Sequence, residues 1–305
     1  MYKLFILENF LFLLFLGLLI WLSIRFFPDQ MGNLAGPGFW ILLAAMTATS
    51  PTTLSLMSRI LRIPIRYTLL LRFLCSIDGL VGIILLGFIY SIIHEPILLF
   101  GFSISGLQWL GIALFLGLLG GIFFHLIMRE SDSDFESVLV VLGVIIYTGG
   151  LAYYLNISTL FVSFIIGIVL ANLSQAQEKI GQILATTEKP FYIVFLIFAG
   201  ALWNYQNWTP ILIAVLFFGY RTLTKIVATW GGIKLVKEYN KKFWGLGLGL
   251  SSLAGLGLAI ALEFYLIKPS DSSSWLLGLL IFLVLINQFF TPIIFKQFLP
   301  RLKSK

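Results

Sequence analysis

Three ionisable residues stand far inside long apolar runs of this sequence: Asp78, Arg221 and Lys225. An ionised side chain at membrane depth is costly, so such groups face a protein interior or a watery cavity, pair with one another, and mark ion or proton paths. Asp78 lies about ten residues into its run. Arg221 and Lys225 are four residues apart, so a helix puts them on one face. Desolvation favours the neutral form of a carboxyl and a nearby cation favours its charged form. An acid balanced between the two can hold either a proton or a metal cation. Asp78 with Lys225 as charge partner fits that description; a purely structural ion pair fits the same residues, and Arg221 reads more readily as structural. Other chemistry is poorly supplied. There is one cysteine, Cys75, and the two histidines, His94 and His125, have no ligand at metal-site spacing. No nucleophile–base pair or phosphate loop is readable, so neither an enzyme, a cofactor nor a tightly bound metal is expected.

The elements that must position these residues are membrane helices. Of the 305 residues 59% are apolar and 11% charged, where soluble domains carry about 25% charge; mean hydropathy is +1.01. A spanning helix needs about 20 apolar residues, and ten such segments follow one another: 4–24, 38–57, 69–92, 107–128, 137–155, 158–173, 190–205, 210–233, 244–267 and 275–297. The first is longer than a signal-peptide core, is interrupted by Glu8, and is not followed by a small-residue cleavage site. The net charge of +7 sits in short loops, which points to membrane topology and not to nucleic acid. One set of alternate connections carries fourteen Lys and Arg residues (among them Arg59, Arg62, Arg66, Arg129, Lys234 and Lys237) against Arg25 and Lys268 in the other. Basic loops are cytoplasmic, so both termini are expected inside, in a bacterial inner membrane. Glu8 and Glu263 read as span-end residues, leaving Asp78 as the deep acid.

Two segments carry helix breakers. The second contains Thr47-Ala48-Thr49-Ser50-Pro51-Thr52-Thr53. Proline lacks an N–H and clashes with the carbonyl four residues earlier, here Thr47, while the flanking hydroxyls can satisfy freed backbone groups. The ninth alternates Gly and Leu through Gly245, Gly247 and Gly249 to Ser251-Ser252, then Gly255 and Gly257. It breaks near the serines or packs closely against a neighbour. Each is the middle member of a three-helix group, and the two groups enter the membrane from opposite sides. That is the pattern of an inverted repeat with a site where the breaks meet. A single membrane domain is expected over 1–305, with a first core triplet at 1–93, intervening scaffold helices at 107–205 and a second core triplet at 210–298.

These residues resemble the monovalent cation:proton antiporter superfamily, the sodium(potassium)/proton exchangers. Ala48-Thr49-Ser50-Pro51 resembles its unwound helix, and Ser76-Ile77-Asp78-Gly79-Leu80-Val81-Gly82 its ion-binding helix. The run Ser158 to Asn172, Lys225 within Arg221-Thr-Leu-Thr-Lys225, and Pro292 within Asn287–Pro292 resemble further family segments in the same order. The resemblance implies an all-α inverted-repeat antiporter fold with two interrupted core helices. The ten segments would correspond to the third to twelfth of a twelve-helix core, without the usual first two or three. It implies exchange of Na⁺ or K⁺ for protons by alternating access, in a lipid bilayer and as a homodimer. Asp78 would hold the ion or proton, Lys225 would be its charge partner, and Thr49, Ser50, Pro51, Thr52, Ser251 and Ser252 would line the unwound helices. Many members carry two adjacent acids in the ion-binding helix. Here Gly79 stands on the second position if Gly82 marks the register, whereas a shift of one residue puts Asp78 there and Ile77 on the first. The alternative function is a transport-inactive antiporter-like protein serving as a scaffold or regulatory subunit.

Overall fold

The structure is a computed structural model that describes residues 2–34, 36–60, 65–99, 102–129, 133–173, 177–203, 209–236, 246–253 and 255–303. In chain order the elements are α1 (Tyr2–Phe26), a single turn α2 (Pro28–Met31) followed by a 3₁₀ turn (Gly32–Leu34), α3 (Pro37–Thr47), α4 (Pro51–Ile60) and α5 (Ile65–Ile93). A two-stranded antiparallel hairpin, β1 (Ile97–Leu99) and β2 (Phe102–Ile104), pairs Leu98 with Ser103. Then come α6 (Leu107–Arg129), α7 (Asp134–Tyr154), α8 (Thr159–Leu173), α9 (Gln177–Leu202), α10 (Thr209–Val236), the short α11 (Leu246–Gly249), α12 (Gly255–Ile267) and α13 (Asp271–Lys303). The protein is a polytopic all-α membrane protein, and every apolar segment read from the sequence overlaps a helix.

The number of helices that span alone is smaller than ten. Among the described residues six are long and apolar enough: α1, α5, α6, α7, α10 and α13. A seventh, α9, bends by 45° beside Pro190, whose missing N–H and ring clash interrupt the ladder. The 15-residue α8 covers about 22 Å at 1.5 Å per residue, short of a hydrocarbon core of about 30 Å. The remaining two segments are the interrupted ones, α3 with α4 and α11 with α12. Breaks of this kind halve the length of a continuous helix without changing its composition, so composition alone counts them as whole spans.

The chain forms two compact units, one of Met1–Gly82 with Ala199–Lys305 and one of Ile83–Phe198. In the first, α1 buries Glu8, Phe12, Leu16 and Ile20, residues four apart on one face. The opposite face exposes Phe10, Leu14, Leu18 and Trp21, as suits contact with lipid. Close approaches hold the interrupted helices. A Cβ on Gly82 of α5 would come within 2.9 Å of the Ala44 carbonyl in α3, and one on Gly257 of α12 within 3.0 Å of the Ala45 carbonyl. In the second unit, α6 packs on α8 through Gly117 and Gly121, where a Cβ would meet Ile165 and Val169 at 2.6 Å. This is a small-residue contact spaced by four, as membrane helices use. Ser133 and Glu136 start α7 with a reciprocal capping box.

Candidate ion-binding site

Both breaks fall in the first unit, and they touch. After Thr47 the chain leaves the helix at Ala48, whose ψ of 118° is extended. It resumes at Pro51, the first position of α4, where a missing N–H costs nothing. Ser50 caps that new start, its hydroxyl accepting from the Thr53 N–H at 3.1 Å. The second break runs through Leu250, Ser251, Ser252 and Leu253. The two non-helical stretches join where the Ser50 N–H donates to the Ser252 carbonyl at 2.9 Å.

Breaking two helices frees carbonyls that a buried site must satisfy. Arg221 of α10 donates from Nε to the Ser251 carbonyl at 3.0 Å and from Nη2 to the Ala48 carbonyl at 2.8 Å, with the Ser252 carbonyl at 3.5 Å. One guanidinium thereby pins both breaks, a task suited to its rigid fork of donors. The Cys75 thiol donates to the Thr49 carbonyl at 3.2 Å, and the Thr49 hydroxyl lies 3.0 Å from the Leu250 carbonyl.

The charges gather beside these carbonyls. Lys225 sits one turn after Arg221. Its Nζ donates to Asp78 Oδ2 at 2.8 Å and to Glu8 Oε1 at 3.3 Å, and it lies 4.2 Å from the centre of the Phe12 ring. Asp78, Arg221 and Lys225 are fully buried and Glu8 is 1% exposed, so the four make a balanced set of two acids and two bases. The Thr49 hydroxyl is 2.5 Å from the same Asp78 Oδ2. The other oxygen, Asp78 Oδ1, has no hydrogen-bond partner among the described residues. Thr49 can therefore reach two acceptors, Asp78 Oδ2 and the Leu250 carbonyl, with one proton to give.

The structure thus brings Asp78, Lys225 and Thr49 into direct contact, with Ser50, Ser251 and Ser252 on the touching backbones. Pro51 begins α4 and stays exposed. Thr52 lies in the first turn of α4, but its side chain is outside the described residues. The Ser252 hydroxyl has no partner among the described residues, and that of Ser251 bonds within its own segment, to the Leu248 carbonyl.

Glu8 requires a correction. It does lie in the first turn of its span, but Asp78 is not the lone deep acid: Glu8 is buried and is a second carboxylate on Lys225. Its sequence signal is its place one turn before Phe12, Leu16 and Ile20, a stripe that nothing in the sequence distinguishes from the equally apolar opposite face of α1. The sequence marks Arg221 as deep, but not its role in joining the breaks. A Cβ at Gly79 would lie 3.3 Å from the Leu256 side chain, which would have to shift slightly to admit it.

The family profile described as sodium/hydrogen exchanger, transmembrane, matches residues 3–302. This chain belongs to that family. At family level, the exchanger is a membrane transporter of cations and protons and not an enzyme. A search among curated proteins returns no match.

Proposed function

We propose that the chain exchanges Na⁺ or K⁺ for protons by alternating access, with Asp78 as the carboxylate that holds ion and proton in turn and Lys225 as its charge partner. The observation that carries this reading is the asymmetry of Asp78. One oxygen is held by Lys225 and Thr49, while the other is buried and open. A buried acceptor without a donor is costly, and a proton or a cation removes that cost.

Glu8 and Thr49 make the exchange tolerable for the rest of the site. When Asp78 is neutralised, Lys225 keeps a counter-charge within reach in Glu8, so its ammonium is not stranded. A protonated Asp78 can donate to Thr49, whose own proton then turns to the Leu250 carbonyl. An ionised Asp78 draws the Thr49 proton back to itself. The protonation state of α5 is thereby communicated to the second break by rotation of one hydroxyl.

In this reading the triplets at 1–93 and 210–298 supply the ion-carrying core and residues 107–205 the scaffold. The protein works as a homodimer in a bacterial inner membrane with both termini inside; the basic loops support that orientation. The test is cation-driven proton flux in proteoliposomes, with Na⁺, K⁺ and Li⁺ added in turn. The wild type is expected to dissipate a pH gradient with at least one cation, and Asp78→Asn to lose that flux. Unchanged flux in Asp78→Asn removes Asp78 from the mechanism. No flux from folded wild type with any cation favours the transport-inactive scaffold.

A further inference from the structure

In the second unit, His94 occupies an arrangement that exchange chemistry does not require. It follows the last residue of α5, and both of its ring nitrogens face carbonyl oxygens: Nδ1 lies 2.8 Å from the Glu95 carbonyl and Nε2 lies 2.9 Å from the Leu155 carbonyl. A carbonyl only accepts, and a neutral imidazole has one N–H. Only the doubly protonated ring can donate to both. A neutral ring keeps one bond and turns a lone pair toward the other oxygen.

The surroundings suit a cation. The ring stacks on Trp109 at 3.7 Å between centroids and 19° between planes, within the range of cation–π attraction. Leu155 is the C-cap of α7 and Glu95 follows the end of α5, so both carbonyls lie where helices gather partial negative charge. The α7 end is a formed turn. Asn156 takes a left-handed φ of 54° and donates to the Tyr153 carbonyl, and Ile157 donates to the Ala152 carbonyl. Those bonds leave the Leu155 carbonyl pointing at His94. A parallel tie fixes the hairpin exit, where the Ser91 hydroxyl donates to the Gly106 carbonyl at 2.6 Å.

We propose that His94 is a proton-operated latch that fastens the end of α5, and the hairpin leading from it, to the C-terminus of α7. Proton uptake closes both ring bonds; proton loss opens one of them and loosens the hairpin or the α7–α8 turn. Among the described residues, the titratable groups on the helix ends beside His94 are the exposed Glu95 carboxylate, Tyr90 on the last turn of α5, and Tyr153 and Tyr154 on the last turn of α7. The facing turns of α6 and α8 carry no charged residue. Histidine is the one side-chain type among these whose ordinary charge change falls in the physiological range. His94 lies sixteen positions beyond Asp78, past the end of the same helix. The latch does not depend on Asp78 being the transport carboxylate.

Hydrogen exchange of the purified protein at pH 5.5 and pH 8, corrected for intrinsic rates, tests this. Peptides over 94–106 or 153–159 of the wild type are expected to exchange several-fold faster at pH 8, and the same peptides of His94→Gln to show no such difference. Equal protection at both values in the wild type overturns the proposal, as does a pH effect that survives in His94→Gln. Should His94→Gln fail to fold, the Trp109 emission decides, taken as wild type minus Trp109→Phe. A stacked imidazolium quenches indole, so that emission must rise between pH 5.5 and pH 8, and a flat response sinks the latch.

Discussion

The two units solve the burial problem in opposite ways. Among the described residues, every buried Asp, Glu, Lys or Arg belongs to the unit of Met1–Gly82 and Ala199–Lys305: Glu8, Asp78, Arg221, Lys225 and Glu263. The unit of Ile83–Phe198 buries hydroxyls instead, those of Ser91, Ser137, Thr148 and Ser158. Thr148 and Ser137 bond to carbonyls one turn back. That unit keeps α6, α7 and α8 unbroken and presses α6 on α8 through glycines. The first unit breaks two helices, and broken helices expose carbonyls that need strong donors. Arg221 supplies them; a buried cation in turn needs acids nearby. The touching breaks and the buried charge are therefore one construction, whereas the bend of α9 at Pro190 in the second unit comes with no buried charge among the described residues.

The largest effect expected from breaking this construction is at Lys225. Lys225→Met leaves Asp78 and Glu8 buried without their shared counter-charge, and loss of one partner from a buried pair costs about 3–5 kcal/mol. Thermal unfolding in detergent measures it. Adding Asp78→Asn to Lys225→Met should recover part of the loss, and strict additivity of the two would deny that they interact.

Arg221→Gln comes next. It strips the Ala48 and Ser251 carbonyls of a charged donor, and hydrogen bonds to charged groups contribute about 1.5–3 kcal/mol each. Because these bonds pin both breaks, the loss should appear as faster hydrogen exchange at 48–54 and 248–253 together. Exchange that rises in one break alone would mean that Arg221 does not join them.

In the second unit the lever is volume. Gly117→Ala places a Cβ 2.6 Å from Ile165 Cβ, and overpacking of this kind costs about 1–3 kcal/mol. The stability loss should leave the apparent affinity for the transported cation unchanged in proteoliposome flux, since the buried acids and bases among the described residues all lie in the other unit. A shifted affinity would erase the division of labour between the units.

The elements of this division are unevenly legible in the sequence. Helix positions are readable because apolar runs leave few alternatives in a bilayer. The first break is readable too, since Pro51 and its hydroxyl neighbours have a mechanical consequence wherever they occur. The second is ambiguous, because glycine serves both a break and a close contact, and here it serves both: Gly247 and Gly257 approach backbone carbonyls while Leu250–Leu253 unwinds. Glu8 is illegible for a reason peculiar to membranes. Lipid and protein interior are both apolar, so α1 shows no amphipathic pattern to say which stripe faces the cluster. Arg221 is visible as a deep cation, but its partners are carbonyls, which every residue carries and no sequence pattern marks.

The smallest prediction separates the two breaks themselves. Ser50 caps α4 through its side chain, whereas its contact with the second break is a backbone N–H that alanine retains. Ser50→Ala should therefore cost about 1 kcal/mol, the usual value of a lost N-cap, without parting the two stretches. The Ser251 hydroxyl only returns to the Leu248 carbonyl of its own segment, and its backbone carbonyl is held by Arg221. Ser251→Ala should accordingly cost a few tenths of a kcal/mol at most, since one local bond is lost and the Leu248 carbonyl keeps the Ser251 N–H. The first break would then be held by its own side chain and the second by a residue from α10. Equal costs for the two serines would show that both breaks depend on local caps, and Arg221 would lose its place as the shared fastening.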